Sequence, residues 1–100
     1  MAKEVILTPI ALHDFDNVVN YLTSEWGITV TNNFVDRFVK ITTLLSQSPE
    51  LFPFIDKTKR LQRCIVTKHN ILYFTETENN IKILTIFDTR QDPDKLNRII

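Results

Sequence analysis

Apolar residues recur along this chain in two rhythms, at helical spacing in the first half and in strand-like runs in the second. Leu12, Phe15, Val19, Leu22 and Trp26 lie three or four positions apart and form one stripe of an amphipathic helix. Thr8-Pro9 opens it, Thr as N-cap and Pro at the first helical position, where a missing N–H is not needed. Gly27, the single glycine, ends it, because a residue without Cβ takes the left-handed conformation past a last helical turn. His13, Asp14, Asp16, Asn17 and Asn20 fall mainly off the stripe and read as solvated surface. A second stripe of Phe34, Phe38, Ile41 and Leu45, widened by Val35, Val39 and Leu44, predicts a helix capped by Thr29 or Thr31. Ser48-Pro49 stops it, since proline disfavours helix at the residue before it. The short link between the two helices predicts an antiparallel hairpin.

Strand signals bracket this helical half. Lys3 to Leu7 predicts an opening strand, and Arg63 to Pro93 predicts strands at Ile65–Thr67, Asn70–Thr77 and Ile81–Phe87. Glu78-Asn79-Asn80 marks the hairpin between the last two, since Asn tolerates the positive φ of tight turns. Side chains alternate along a strand, so Ile71 and Tyr73 are expected on one face and Leu72 and Phe74 on the other. The same alternation groups Ile81, Ile83 and Phe87 against Leu84 and Ile86. Both faces of this hairpin are therefore apolar and need cover. Glu50 to Leu61 reads as a loop with Phe52 and Phe54 tucked under the sheet edge, followed by a solvated basic cluster of Lys57, Lys59 and Arg60. Asp94 to Ile100 predicts a helical turn whose apolar end, Ile99-Ile100, has no assigned role.

The predicted fold is α+β, in the order β-α-α-β-β-β: a helical hairpin packed on a small twisted antiparallel sheet, a single domain over residues 1–100. Two helices blanket one sheet face. The other face, with Leu72, Phe74, Leu84, Ile86 and the tail Ile99-Ile100 as the residues at risk, is expected to stay exposed for a partner or to be buried in a homodimer.

Composition narrows the classes. A chain that is 43% hydrophobic and 24% charged is globular rather than disordered, and its apolar runs are too short for a membrane span. Met-Ala-Lys-Glu-Val lacks the apolar core of a signal peptide, so the expected compartment is the cytoplasm. One cysteine, Cys64, and two histidines give neither an internal disulfide nor metal-ligand spacing, so no metal or cofactor is expected and Cys64 reads as a small core residue. Twelve basic and twelve acidic side chains cancel. That balance argues against a dedicated nucleic-acid binder, whose affinity comes largely from neutralising phosphates.

Several segments in this order resemble the RelE/ParE superfamily of toxins from bacterial type II toxin–antitoxin systems, and the ParE-like, plasmid-stabilisation branch most. The carriers are the opening strand with Thr8-Pro9-Ile10-Ala11, the helix end Tyr21-Leu22-Thr23-Ser24-Glu25-Trp26-Gly27, and Ser48-Pro49-Glu50. Arg63 then leads into Ile71-Leu72-Tyr73-Phe74, and the last strand closes on Phe87-Asp88-Thr89-Arg90-Gln91-Asp92-Pro93. The resemblance implies a toxin neutralised by a cognate antitoxin that wraps around it. It implies either of two modes of action: binding and inhibition of a target, which for some ParE-like members is DNA gyrase, or messenger cleavage in the ribosome, as in RelE-like members. A member that keeps only the fold and the antitoxin contact is the third reading.

A metal-free ribonuclease needs a base for the ribose 2′-OH, cations for the phosphorane and an acid for the leaving oxygen. Arg63 and Arg90 are the candidate cations and His69 the weak candidate base; the same two arginines read equally as structural partners of Asp88 or Asp92. RelE-like enzymes carry an arginine two or three residues before the central-strand tyrosine, whereas Lys68-His69-Asn70 precedes Tyr73 here. Those enzymes also end on a reactive Tyr or His, absent from Asp94-Lys95-Leu96-Asn97-Arg98-Ile99-Ile100. Tyr73 reads as core. The expectation is therefore a non-enzymatic inhibitor, with Arg63, Arg90, Leu72, Phe74, Leu84 and Ile86 as the target- or antitoxin-binding candidates.

Overall fold

The computed structural model describes residues 2–100. The elements run β1 (Glu4–Leu7), α1 (Pro9–Trp26), α2 (Ile28–Gln47), a 3₁₀ turn (Pro49–Leu51), β2 (Phe54–Asp56), β3 (Leu61–Thr67), β4 (Asn70–Glu76), β5 (Asn80–Asp88) and α3 (Pro93–Ile99). The five strands form one sheet in the order β1-β5-β4-β3-β2. β1 lies parallel to β5 and every other neighbour is antiparallel, so the sheet is mixed. The α+β architecture with a helical hairpin is as expected. The edge strand β2 is an addition, formed from residues that read as loop: Phe54 and Asp56 pair with Gln62 and Leu61. Only three residues long, it is below the length at which alternation is legible.

Both helix starts follow local chemistry. Thr8 caps α1 through a bond from the Ala11 N–H to its Oγ1 at 3.1 Å, with Pro9 in the first turn. Gly27 is the whole connection to α2, at φ 90° and ψ 173°, and its N–H reaches the Leu22 and Thr23 carbonyls. This combination is open essentially to glycine alone. It is not the left-handed turn expected, because the chain must reverse into α2 within one residue. Thr29 and Thr31 do not cap α2; Thr31 is buried one turn inside it and bonds the Thr23 hydroxyl at 2.8 Å, fastening the two helices.

The hairpin packs on one sheet face through Ala11, Phe34, Phe38 and Leu45, with Phe15, Val18, Val19, Leu22 and Ile41 at the margin. Phe15, Phe34 and Phe38 form an aromatic cluster with centroids 4.8 to 6.3 Å apart, Phe15 tilted against the other two and Phe34 stacked with Phe38. Leu12 and Trp26, expected in the stripe, are 53% and 67% exposed, because the buried side of α1 is centred on Ala11 and Val18 instead. Phe52 does pack on the core, edge-on to Phe74, but Phe54 stands exposed on the edge strand. The turn at Glu78-Asn79-Asn80 closes through Thr77, whose N–H reaches the Asn80 carbonyl at 2.8 Å. It uses no positive φ, which among the described non-glycine residues occurs only at Arg60, in the β2–β3 turn.

The expected faces fail on β5 for one reason. Phe74 pairs with Ile83 and Tyr73 with Thr85, so Leu84 is an extra residue, a β-bulge. Beyond the bulge the alternation slips: Ile86 joins Ile81 and Ile83 beneath the helices, and Phe87 turns to the opposite face beside Tyr73. Ile86 is therefore a core residue under the hairpin, and so are Leu72 and Phe74, whose face of β4 is the one the helices cover; all three, expected on an exposed partner face, are at 0–3% exposure. Leu84 lies on the second face, half-buried.

The second face is also covered, against expectation. Asp92 caps α3 through a bond from the Asp94 N–H to Oδ1 at 3.0 Å, and the helix lays Leu96 and Ile100 over Leu61, Tyr73 and Phe87. Ile100 thus has a role, and no large apolar face of β4 is left open for a homodimer. On the neighbouring β3, Ile65 stays 62% exposed.

Candidate functional site

β1 ends opposite Ile83, leaving the outer edge of β5 without a strand partner beyond that point. The N-cap Thr8 and Asp14 of α1 take over. The Thr8 hydroxyl donates to the Leu84 carbonyl at 2.9 Å, and Asp14 Oδ2 accepts from the Thr85 hydroxyl at 2.5 Å and the Ile86 N–H at 3.1 Å. Asp14, read as solvated surface, is a structural acceptor that holds α1 against the bulge.

A cleft of about 740 Å³ lies between the helical hairpin and this end of the sheet. Its helical wall includes Tyr21 and Trp26 of α1 and Val30 and Arg37 of α2; its sheet wall includes Thr67, His69, Asp88 and Arg90. The Thr89 N–H bonds the His69 carbonyl at 2.9 Å, which joins the β3–β4 turn to the segment after β5 and so sets that wall.

Arg90 is held in two ways. Its Nε and Nη2 donate to the two carboxylate oxygens of Asp88 at 2.9 and 2.7 Å, a bidentate pair, and its guanidinium lies 5.9 Å from the centre of the Tyr21 ring. The Arg90 N–H also bonds Asp88 Oδ1 at 2.9 Å. These hydrogen bonds lower the Asp88 carboxyl below its ordinary value and raise the Arg90 guanidinium above its own, so both stay ionised. Of the structural pairings the sequence allowed for Arg90, the one to Asp88 is realised.

Arg63 is elsewhere. It sits opposite Tyr73 on the α3 face of the sheet, so the two candidate cations are on opposite faces and are not brought together. Tyr73 is buried, in keeping with a core role. Lys57, Lys59 and Arg60 also lie away from the cleft, with Lys59 Nζ 3.5 Å from the Ile100 carbonyl. His69 does line the cleft.

Sequence reasoning missed Arg37 and gave Tyr21 and Trp26 no site role. The available signal was that Trp26 and Arg37 sit at the margins of their stripes, where large side chains reach past a core. Cys64 is buried with its thiol pushed up by desolvation, the Arg37 charge pulling it partly back, so it stays protonated and inert. Among the described residues no cluster of His, Cys, Asp or Glu has the makings of a metal site, and no helix is long and apolar enough to cross a membrane.

The sequence model described as the ParE toxin of type II toxin-antitoxin system, parDE, matches residues 5–93. The chain belongs to the ParE toxin family. The match runs from β1 to the first residue of α3, so nearly all of the covering helix lies beyond it. Two solved structures share the fold. A chain of the chromosomal ParDE TA system from P. aeruginosa is 16% identical, with a TM-score of 0.73 over 87% of this chain and 96% of that one. The YoeB dimer from Staphylococcus aureus is 13% identical, with a TM-score of 0.62 over 87% and 97% of the two chains. No curated protein sequence matches.

Proposed function

We propose that this ParE-family chain is a toxin that acts by binding and inhibiting a cellular target, with DNA gyrase the target class the resemblance suggests, and that a cognate antitoxin neutralises it. The observation that carries the reading is the separation of the arginines. Arg63 and Arg90 stand on opposite sheet faces, and Arg90 is clamped by Asp88, so they do not form a phosphate clamp. Asp94 to Ile100 holds no Tyr or His, and its Leu96 and Ile100 pack on the face away from the cleft.

One observation favours the second reading, a RelE-like ribonuclease: His69 and Arg37 line the same cleft. A single experiment separates the two. The chain is expressed without an antitoxin while transcript ends are mapped and plasmid supercoiling is followed. Inhibition predicts growth arrest with intact messages, abolished in Arg90→Ala. Codon-phased cleavage, lost in His69→Ala, would establish the nuclease instead.

A further inference from the structure

We propose that the β3 margin of the sheet, from the β2–β3 turn to the β3–β4 turn, binds the phosphate backbone of double-stranded DNA without reading its sequence. The proposal does not depend on which target the toxin inhibits.

The zero net charge conceals a segregation. Residues 1–56 carry seven acidic and three basic side chains, whereas residues 57–75 carry five basic ones and no carboxylate. Those five are Lys57, Lys59 and Arg60 in the β2–β3 turn, Arg63 within β3, and Lys68 in the β3–β4 turn. They stand at both ends and in the middle of a seven-residue strand, roughly 20 Å long at ~3.3 Å per residue. All five are exposed, and none joins an ion pair among the described residues, where the pairs are Lys3–Glu76 and Arg90–Asp88. Asp56 is the carboxylate nearest in sequence, and its Oδ1 is engaged by the Lys59 N–H at 3.1 Å. Unpartnered like charges held along one strand repel one another, and a polyanion relieves that repulsion.

The strand adds donors of its own. β2 pairs with β3 only at Leu61 and Gln62, and the Arg63 N–H reaches the Pro53 carbonyl at 3.3 Å. Beyond Arg63 the outer edge of β3 has no strand partner among the described residues. Backbone N–H groups on such an edge join Arg and Lys in holding phosphate oxygens.

What the margin lacks selects duplex DNA over other anions. A single strand is held by aromatic faces on which its bases stack. Tyr73 is buried under α3, and Phe54 pairs with Gln62, on the hairpin side of the sheet, so neither ring serves. Duplex RNA is recognised largely through its 2′-hydroxyls. The one hydroxyl of β3, on Thr67, is already bonded to Asn70 at 2.8 Å. An acidic protein surface would add an apolar centre to the interface, and on this margin only Ile65 offers one. A regular array of phosphates needs cations and N–H donors alone, which is what the margin holds.

The test titrates the full chain into labelled duplex DNA of about 20 base pairs, followed by fluorescence anisotropy between about 50 and 200 mM salt. With three to five phosphates neutralised, log K should fall against log salt with a slope of about −3 to −4.5. Two duplexes of unrelated sequence should bind alike. Lys57→Gln, Arg63→Gln and Lys68→Gln should each weaken binding severalfold and reduce the slope by about one, while Lys40→Gln on α2 should do neither. The three positions are exposed and independent, so a variant that lowered the melting temperature would leave the other two decisive. Absence of binding at the lowest salt would overturn the proposal, as would an equal loss in Lys40→Gln, which marks diffuse attraction. So would tighter binding of a single strand or of an RNA duplex of the same sequence. Displacement of the DNA by polyglutamate at equal charge would also overturn it and mark an acidic protein as the occupant.

Discussion

The two faces of the sheet are both covered, but by unequal means. On one, 18- and 20-residue helices bury Leu72, Phe74, Ile81 and Ile83 completely. On the other, a seven-residue helix lays Leu96 and Ile100 over Leu61, Tyr73 and Phe87, with Ile65 still in solvent. A helix of that length has almost no stability of its own, because nucleation is unfavourable and few bonds follow it. The hairpin is therefore the fold, while α3 is a cover whose opening exposes a small, mostly buried cluster. Local opening at low free energy belongs to elements with few buried apolar contacts.

The largest expected effect tests the stronger face. Phe74→Ala removes a fully buried ring that meets Phe52 edge-on and should cost about 3–5 kcal/mol, read from urea unfolding. A smaller effect tests the weaker face. Leu96→Ala, at a half-buried position, should cost about 1 kcal/mol and leave the helical hairpin in place. Amide exchange at Leu96 and Ile100 should then accelerate while β4 remains protected. A loss in Leu96→Ala as large as that in Phe74→Ala would mean that α3 belongs to the central core and that the contrast between the faces is false.

The smallest effect lies at the cleft, between the two faces. Asp88 has a lowered folded-state value, so its pairing with Arg90 contributes stability above the ordinary carboxylate range and loses it as pH falls through the lower folded value. The pair is solvent-exposed and screened, so the contribution is small. Acid unfolding of Asp88→Asn compared with the parent chain should show this contribution missing at neutral pH and the two curves converging in acid. Parallel curves throughout would leave Arg90 held by Tyr21 and the backbone rather than by the ion pair.

How much was legible beforehand divides along the same lines. Helix positions, the Thr8-Pro9 start, the stop at Ser48-Pro49 and the three consecutive strands were readable because each is set by neighbours a few residues apart. Arg90 was legible as a candidate, with Asp88 two residues away as one of its partners. Exposure at Trp26 was not, because a stripe gives the side of a helix that is apolar but not how far its partner extends along it.

The sequence by itself determined the α+β class, the helical hairpin and its main core residues, and the family to which the chain belongs. These rest on local periodicity, caps and segment order. Only the tertiary structure decided the bulge at Leu84, and with it which face Ile86 and Phe87 occupy, since a single extra residue inverts an alternation without altering the composition that reveals a strand. It alone decided the roles of Asp14 and Ile100. Asp14 bonds residues more than 70 positions away, and Ile100 packs on a cluster drawn from three strands. Contacts of that separation leave no period in the chain, because they depend on where whole elements come to rest against one another.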